Sequence, residues 1–302
     1  MSSLLSIFNH DHRLVGSIAP ASRVVRELND ADREAAVALL ECDALQTIPL
    51  LGLIADYGMS HPSLRGRFFG YFENQQLAGV ALLGHAILFY ALPEAEASAW
   101  EYFARTAAEI RAKGHLIFGP RPQVEAFYNH LATHGREKRL TSIQQWCVAT
   151  APRLPLQSMQ LRRANLDELE SLATAQAEMI YESSGVDPRQ SDPEGFLQRT
   201  AERIERKRTW VRLADGKVIF KVEIVSEAAG MAYLEGVWTH PDWRNQGIAR
   251  SCMNEVVHRL LQHRTAICLT AAPEEAVACR LYQSVGFDHH SDYLACFLAP
   301  LA

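Results

Sequence analysis

The chain is short of patterned cysteine, of charge of one sign and of long apolar runs, and each shortage closes off a class of function. Its six cysteines, Cys42, Cys147, Cys252, Cys268, Cys279 and Cys296, are scattered with no C-x-x-C pair and no histidine spacing of the zinc-binding kind. Cys252, Cys268 and Cys296 stand among apolar neighbours, so they read as buried free thiols of a reducing compartment. Thirty basic residues face 35 acidic ones for a net charge of -5, and no run of five or six like charges occurs. General nucleic-acid binding and attachment to a membrane surface therefore have no electrostatic support. The opening stretch MSSLLSIFNHDHRLVGS lacks the basic and apolar regions of a signal peptide, and no later run reads as a membrane span, which makes a cytoplasmic protein the expectation. His10-Asp11-His12 reads as part of a loose terminus, with no claim to be a metal site.

What is present is enough apolar material to fill one large core or two ordinary ones: 48% of 302 residues. The C-terminal half reads as strand, helix, helix, hairpin, strand, helix, strand, helix, strand. Asn165 is placed to cap the first helix, and Asp192 with Pro193 to open the second. Ala214-Asp215-Gly216-Lys217 marks the hairpin turn. The N-terminal half repeats this order, with RVVRELNDADREAAVALLECD matching QLRRANLDELESLATAQAE at an offset of 136. Its hairpin turn is expected at Glu73 to Gln76. Two prolines in TAPRLPLQS (150–158) suit a boundary. The expected organisation is an extension over 1–22, an N-terminal domain over 23–150 and a C-terminal domain over 151–302.

The halves differ at one helix entry. The N-terminal copy enters through PEAEAS, acidic and without glycine; the C-terminal copy enters through PDWRNQG. A helix start carries unpaired N–H groups and partial positive charge, and so favours an anion. Gly247 removes a Cβ that would hold a phosphate off the backbone, Ala249 is small, and Arg244 adds charge at the rim.

These residues carry a family resemblance. GVWTHPDWRNQGIARSCMNEVVHRLL resembles the acetyl-CoA motif of the GNAT superfamily of N-acetyltransferases, [Q/R]-x-x-G-x-[G/A], through Arg244, Gly247 and Ala249. Thr239-His240-Pro241 is similar to its strand-end V-x-P, and AVACRLYQSVGFDHH to its A-x-x-x-Y-x-x-x-G-F segment. The likeness covers about 158–298, with the first half as a degenerate copy in a tandem arrangement. It implies an α+β fold of two GNAT-like domains, each a mostly antiparallel mixed sheet flanked by helices. It implies acetyl-CoA as cosubstrate, held by Val237, Trp238, Thr239, Arg244, Asn245, Gln246, Gly247, Ile248 and Ala249, and acetyl transfer to a primary amine by direct attack on the thioester.

Within that resemblance the strand YLEGVWT splays from its neighbour at a bulge, for which Gly236 is suited. Tyr282 is the candidate general acid and Glu235 the candidate base, with Glu223 on the next strand close behind. The acceptor would be a small-molecule or peptide amine, for which Glu178, Glu182 and Asp187 offer negative charge. One position departs from the family: Glu275 stands where an asparagine is common. That departure, with the motif-free first half, keeps a second reading open, an acetyl-CoA-binding sensor or structural protein without turnover. The N-terminal half could complete the acceptor cleft, support a homodimer or stabilise its neighbour.

Overall fold

The two halves open on the same local device. In the computed structural model, which describes residues 22–301 and so leaves His10-Asp11-His12 outside, Asn29 and Asn165 each begin a short 3-10 turn. The acid three residues on accepts the cap's own N–H, at 3.0 Å for Asp32 and 2.8 Å for Glu168. Those acids pair in turn with Arg26 and Arg162. Three residues thus recur at the spacing of 136.

Around each turn the chain builds a similar series, to which the second half adds one short helix, Pro188–Ser191. In the first half these are β1 (Arg23–Glu27), α1 (Arg33–Leu40), α2 (Ala44–Tyr57), β2 (Gly66–Glu73), β3 (Gln76–Gly84), β4 (Ala86–Ala91), α3 (Glu96–Glu109), β5 (Leu116–Pro120), α4 (Arg121–Thr133) and β6 (Lys138–Ala149). In the second they are β7 (Arg162–Arg163), α5 (Leu169–Ser184), α6 (Pro188–Ser191), α7 (Pro193–Glu205), β8 (Thr209–Ala214), β9 (Lys217–Ala228), β10 (Met231–Thr239), α8 (Ile248–Leu261), β11 (Ala266–Ala271), α9 (Ala276–Val285) and β12 (Asp288–Leu298). Both hairpins turn through two residues at positive φ, Asn74 and Gln75 in one, Asp215 and Gly216 in the other, the geometry that matches strand twist. Asp192 caps α7 through the Gly195 N–H, with Pro193 in the first turn, as its sequence predicts.

The strands form one sheet in the order β1-β2-β3-β4-β5-β12-β6-β11-β10-β9-β8-β7. Only the β4–β5 and β10–β11 pairs are parallel, so the sheet is mixed and mostly antiparallel. Its middle shows an exchange: β12, the last strand of the second half, pairs with β5, while β6, the last of the first half, pairs with β11. The two exchanged strands also pair with each other along nearly their whole length. The chain boundary near residue 150 is therefore a connection on the surface of a continuous ladder. Helices cover both faces. Side chains of β2 and β3 alternate between α3 and α4 on one face and α1 and α2 on the other, while β9 and β10 alternate between α8 and the α5–α7 side.

Across the junction, Trp146 of β6 stacks on Tyr293 of β12 with centroids 4.5 Å apart and packs on Tyr233 of β10 at 4.9 Å. Ile48 of α2 completes this cluster. The helix α2 was not legible in the sequence: Pro49 lies inside it and apolar residues surround it, so no amphipathic stripe marks it. With α1 and the turn between, it forms the span Asp30–Tyr57, which holds an 18-residue window of mean hydropathy 1.6, long and apolar enough by composition to cross a membrane. This corrects the expectation that no run reaches that standard. In the fold, 44% of the window is buried, because α2 lies across β4, β9 and β10 and so belongs to both halves.

Gly52 sets how closely α2 approaches β9. A Cβ there would stand 2.5 Å from the Ser226 Cβ and 3.0 Å from its Cα. Helix propensity alone makes Gly52→Ala a gain of about 1 kcal/mol; the collision makes it a net loss of about 1–3 kcal/mol, read as a lower urea midpoint. A raised midpoint would show that α2 can lift off the sheet without cost.

Candidate active site

The second half contains a break in its sheet. β10 keeps parallel register with β11 only from Met231 to Leu234, opposite Ala266 to Leu269. Beyond that β11 continues against β6 and β10 continues against β9, so the two strands part and no strand among the described residues pairs with that edge of Glu235–Thr239. At the same point β10 bulges: Glu235 faces Glu223 and Trp238 faces Lys221, leaving Gly236 and Val237 against Val222 alone. Gly236 adopts φ +65°, which glycine reaches without strain. A bulge of this kind interrupts the ladder with β9 at Gly236 and Val237.

Beneath the bulge lies a buried charge network. Lys221 and Glu223 are 0% and 1% exposed. The Lys221 ammonium donates to Glu223 at 2.8 Å and to the Gln176 amide oxygen at 2.6 Å, and Arg203 donates to the other Glu223 oxygen at 2.7 Å. Burial pushes the Glu223 carboxyl up, but Lys221 and then Arg203 pull it further down, so it stays ionised. Burial likewise lowers Lys221, against the pull of Glu223. A Cβ on Gly236 would meet the Lys221 nitrogen at 2.9 Å and the Gln176 oxygen at 3.0 Å, so the network props the bulge from below. Its sequence signal is VIFKVEIVS, where Lys221 and Glu223 share one face of an otherwise apolar strand; the sequence points to Glu223 but not to its partners.

Glu235 is exposed. Leu234 joins the core under α8, so by strand alternation Glu235 lies on the opposite face with Tyr233, which packs near α2. The Tyr233 hydroxyl, buried first of all and then close to the Glu235 charge, has its pKa raised well above normal; sequence reasoning passed over it. Tyr282 of α9 sits on the other face, against the core that also carries Val237, Ile248 and Ala249 at its rim, with its ring edge-on to Phe287 at 6.1 Å. Burial raises the Tyr282 pKa and keeps the hydroxyl protonated. Gly286, at φ +123°, ends α9 where a Cβ would strike the Ala151 carbonyl oxygen at 2.4 Å, so the chain linker crosses directly over it.

The mouth of α8 closes this arrangement. Gly247 caps the helix at φ +76° and no side chain bonds the first-turn N–H groups. The helix begins at Ile248, one residue later than the sequence suggests. A Cβ on Gly247 would meet no atom of the chain within 4 Å; within the chain it is the positive φ that calls for glycine, and the space above is open to a ligand. Asn245 is also left-handed at φ +60°, while Arg244 and Gln246 tie back to the Thr239 and Asp242 carbonyls at 3.1 and 3.0 Å. The loop thus presents backbone donors outward, a nest suited to an anion. Trp238 packs at the α5–α7 side. His240 caps the turn at Pro241–Trp243 through its ring nitrogen, and Trp243 is half-buried in that turn.

Residues 168–287 match the Acetyltransferase (GNAT) family. That segment, a GNAT domain by the match, lies within the second half. A comparison with curated proteins finds no match. Among solved structures, the fold is similar to that of a Drosophila protein (TM-score 0.67, 14% identity, 93% of this chain and 100% of that one). It is also similar to a GCN5-related N-acetyltransferase from Sphaerobacter thermophilus (0.60, 16%, 93% and 96%). A tandem GNAT protein from the clavulanic acid biosynthesis pathway matches at 0.54, with 12% identity over 92% of this chain and 98% of that one. At such identities these likenesses concern the fold, and they extend over both halves.

The first half keeps the GNAT outline and has lost the opening. β4 and β5 also part after two residues, Ala86 and Ile87, but β4 has no bulge against β3. On the α3–α4 face of β4, Phe89 packs on Trp100 of α3 at 4.7 Å and on Phe127 of α4 at 4.6 Å. The first turn of α3 carries Glu96, which takes the Gln123 amide at 2.6 Å. Glu96 thus ties the start of α3 to α4, while the helix is entered through Ala95 with no side-chain cap and no glycine. Of the acids considered for the acceptor side in the GNAT domain, Asp187 caps α6 and pairs with Arg189, whereas Glu178 and Glu182 are exposed on α5. Glu275, at the N-cap of α9, makes no capping bond.

Lys221→Met would leave the Glu223 carboxylate buried with Arg203 alone and should cost about 3–5 kcal/mol in urea unfolding. The double variant Lys221→Met, Glu223→Leu should recover most of it, because the half-exposed Arg203 can turn to water. Equal losses in both would mean that the pair contributes by shape alone.

Proposed function

We propose that the chain transfers an acetyl group from acetyl-CoA to a primary amine, with the gap between β10 and β11 as the place of reaction. The observation that carries this is the coincidence, in the second half alone, of that gap, a bulge at its edge and a helix entered through a glycine at positive φ. The first half has the same outline without the bulge, and its helix is entered through Ala95 and Glu96. The residues fit the cosubstrate: the first-turn N–H groups of α8, with Asn245, Gln246, Gly247, Ile248 and Ala249 around them and Arg244 at the rim, suit a pyrophosphate. Acetyl-CoA supplies the activated acyl group.

The chain's own residues would then divide the work. Backbone donors of Val237 and Trp238 at the bulge stabilise the thioester oxygen as charge develops on it. Glu235, on the α5–α7 face, takes the proton from the incoming amine. Glu223 is a poor base, since both its oxygens are held by cations; it acts through Lys221 on the shape of the bulge. Tyr282, on the opposite face, gives its proton to the departing sulfur. Acceptor and leaving group are thereby served from opposite sides of the sheet. The exposed Glu178 and Glu182 favour a cationic acceptor, small molecule or peptide.

Calorimetry with acetyl-CoA tests the reading first. The wild type should bind, and Gly247→Glu should not, since it sets a carboxylate and a strained φ at the mouth of α8. In an amine screen, Tyr282→Phe should lower kcat about a hundredfold while leaving acetyl-CoA binding intact. Because burial keeps Tyr282 protonated, no alkaline loss of activity should arise from it below about pH 10. Binding without turnover of any amine would favour a sensor instead, and absence of binding would reduce the likeness to fold alone.

A further inference from the structure

At the far end of α8, about 20 Å along the helix from Gly247, lies a cavity of about 520 Å³. It is walled by Arg163 of β7, Trp210 of β8, Arg259 and Glu255 of α8, and Arg264 beyond it, with Ser158 of the linker at its rim. Arg163 and Trp210 are register partners across the β7–β8 ladder, and the Arg163 guanidinium carbon lies 3.7 Å from the indole centre. Arg259 lies over the same ring at 5.2 Å. Three guanidinium groups therefore converge on one half-enclosed space.

Two of them are answered. Arg259 pairs with Glu255, and Arg264 with Glu227, which also receives Arg208. The Arg163 side chain has no ion pair or hydrogen bond among those described, and its Nη1 is buried without a partner. The indole nitrogen of Trp210, a residue only 6% exposed, is likewise unpartnered. Burial lowers the Arg163 pKa to about 10, with Glu227 opposing and Arg264 and Arg259 adding to the fall. Holding an unpaired cation beside two others costs free energy that stacking on Trp210 offsets only in part. Arg259 also suits the partial negative charge at the end of α8; Arg163 comes from a strand and has no such reason to be there.

We propose that this cavity binds a small oxyanion, an organic phosphate or a carboxylate, with Arg163 as its principal partner, separately from the acetyl-CoA end of α8. Its volume lies in the range of small-molecule sites, and a planar guanidinium already oriented by an aromatic ring is pre-organised for bidentate contact with phosphate or carboxylate. The inference stands whether or not the chain is an acetyltransferase.

The test is calorimetry on the whole chain at physiological salt with inorganic pyrophosphate and with citrate as probes, repeated on Gly247→Glu to close the other end of α8. Saturable binding of either probe, unchanged in Gly247→Glu, is expected; which probe binds separates phosphate from carboxylate. Arg163→Gln should weaken it by about tenfold or more. Ser158→Glu, an exposed rim position that leaves the arginines in place and the fold unburdened, should abolish it. The proposal is overturned if neither probe binds, if binding disappears in Gly247→Glu, or if Ser158→Glu binds as the wild type does.

Discussion

The antiparallel pairing of β6 with β12 is the constraint on which the rest of this structure depends. Because each strand leaves its own half to lie beside the other's sheet, the two halves share one ladder and one central cluster around Trp146, Tyr233 and Tyr293. Neither half can open far at the junction without exposing backbone groups that are costly to leave unpaired. The helix α2 reinforces the join from one face, held close by Gly52. Arg206 and Arg208 meet Asp56 of that same helix. The first half thus acts as a rigid neighbour to the second.

Rigidity at the junction allows irregularity beside it. The parting of β10 from β11 begins one residue after Leu234, next to the shared cluster, and the bulge at Gly236 rests on the Lys221–Glu223–Arg203 network. A buried ion pair of this kind is seldom the most stabilising way to fill a core. Here it occupies the space that a glycine at positive φ leaves, and it holds an edge of backbone donors in place. The first half, with no bulge and with Phe89 packed between α3 and α4, shows the same outline with a regular strand.

Much of the fold was legible because local signals are strong and repeated. Asn29 and Asn165, Asp192 with Pro193, and the two hairpin turns each act within a few residues, so spacing alone reveals them. The helix mouth at Gly247 was legible for a related reason, and the structure adds a second ground for the glycine, a positive φ that is a property of the folded loop. The helix α2 stayed hidden since Pro49 and an all-round apolar surface erase the periodic pattern that identifies a half-buried helix. Glu223 drew notice as a carboxylate on the right strand, yet its two cationic partners come from α7 and from its own strand and enter only through packing.

By itself the sequence determined the duplicated order of elements, the caps, the turns and the glycine at the mouth of α8, all of which follow from interactions between residues close in the chain. Only the tertiary structure decided that the final strands change places, that Glu223 is locked between Lys221 and Arg203 while Glu235 stays exposed beside the Tyr233 hydroxyl, and that the Arg163 side chain faces a cavity without a partner. Those outcomes depend on groups far apart in the chain, on burial, and on which face of a strand meets which helix. No local pattern encodes the answer to those questions before the chain has closed on itself.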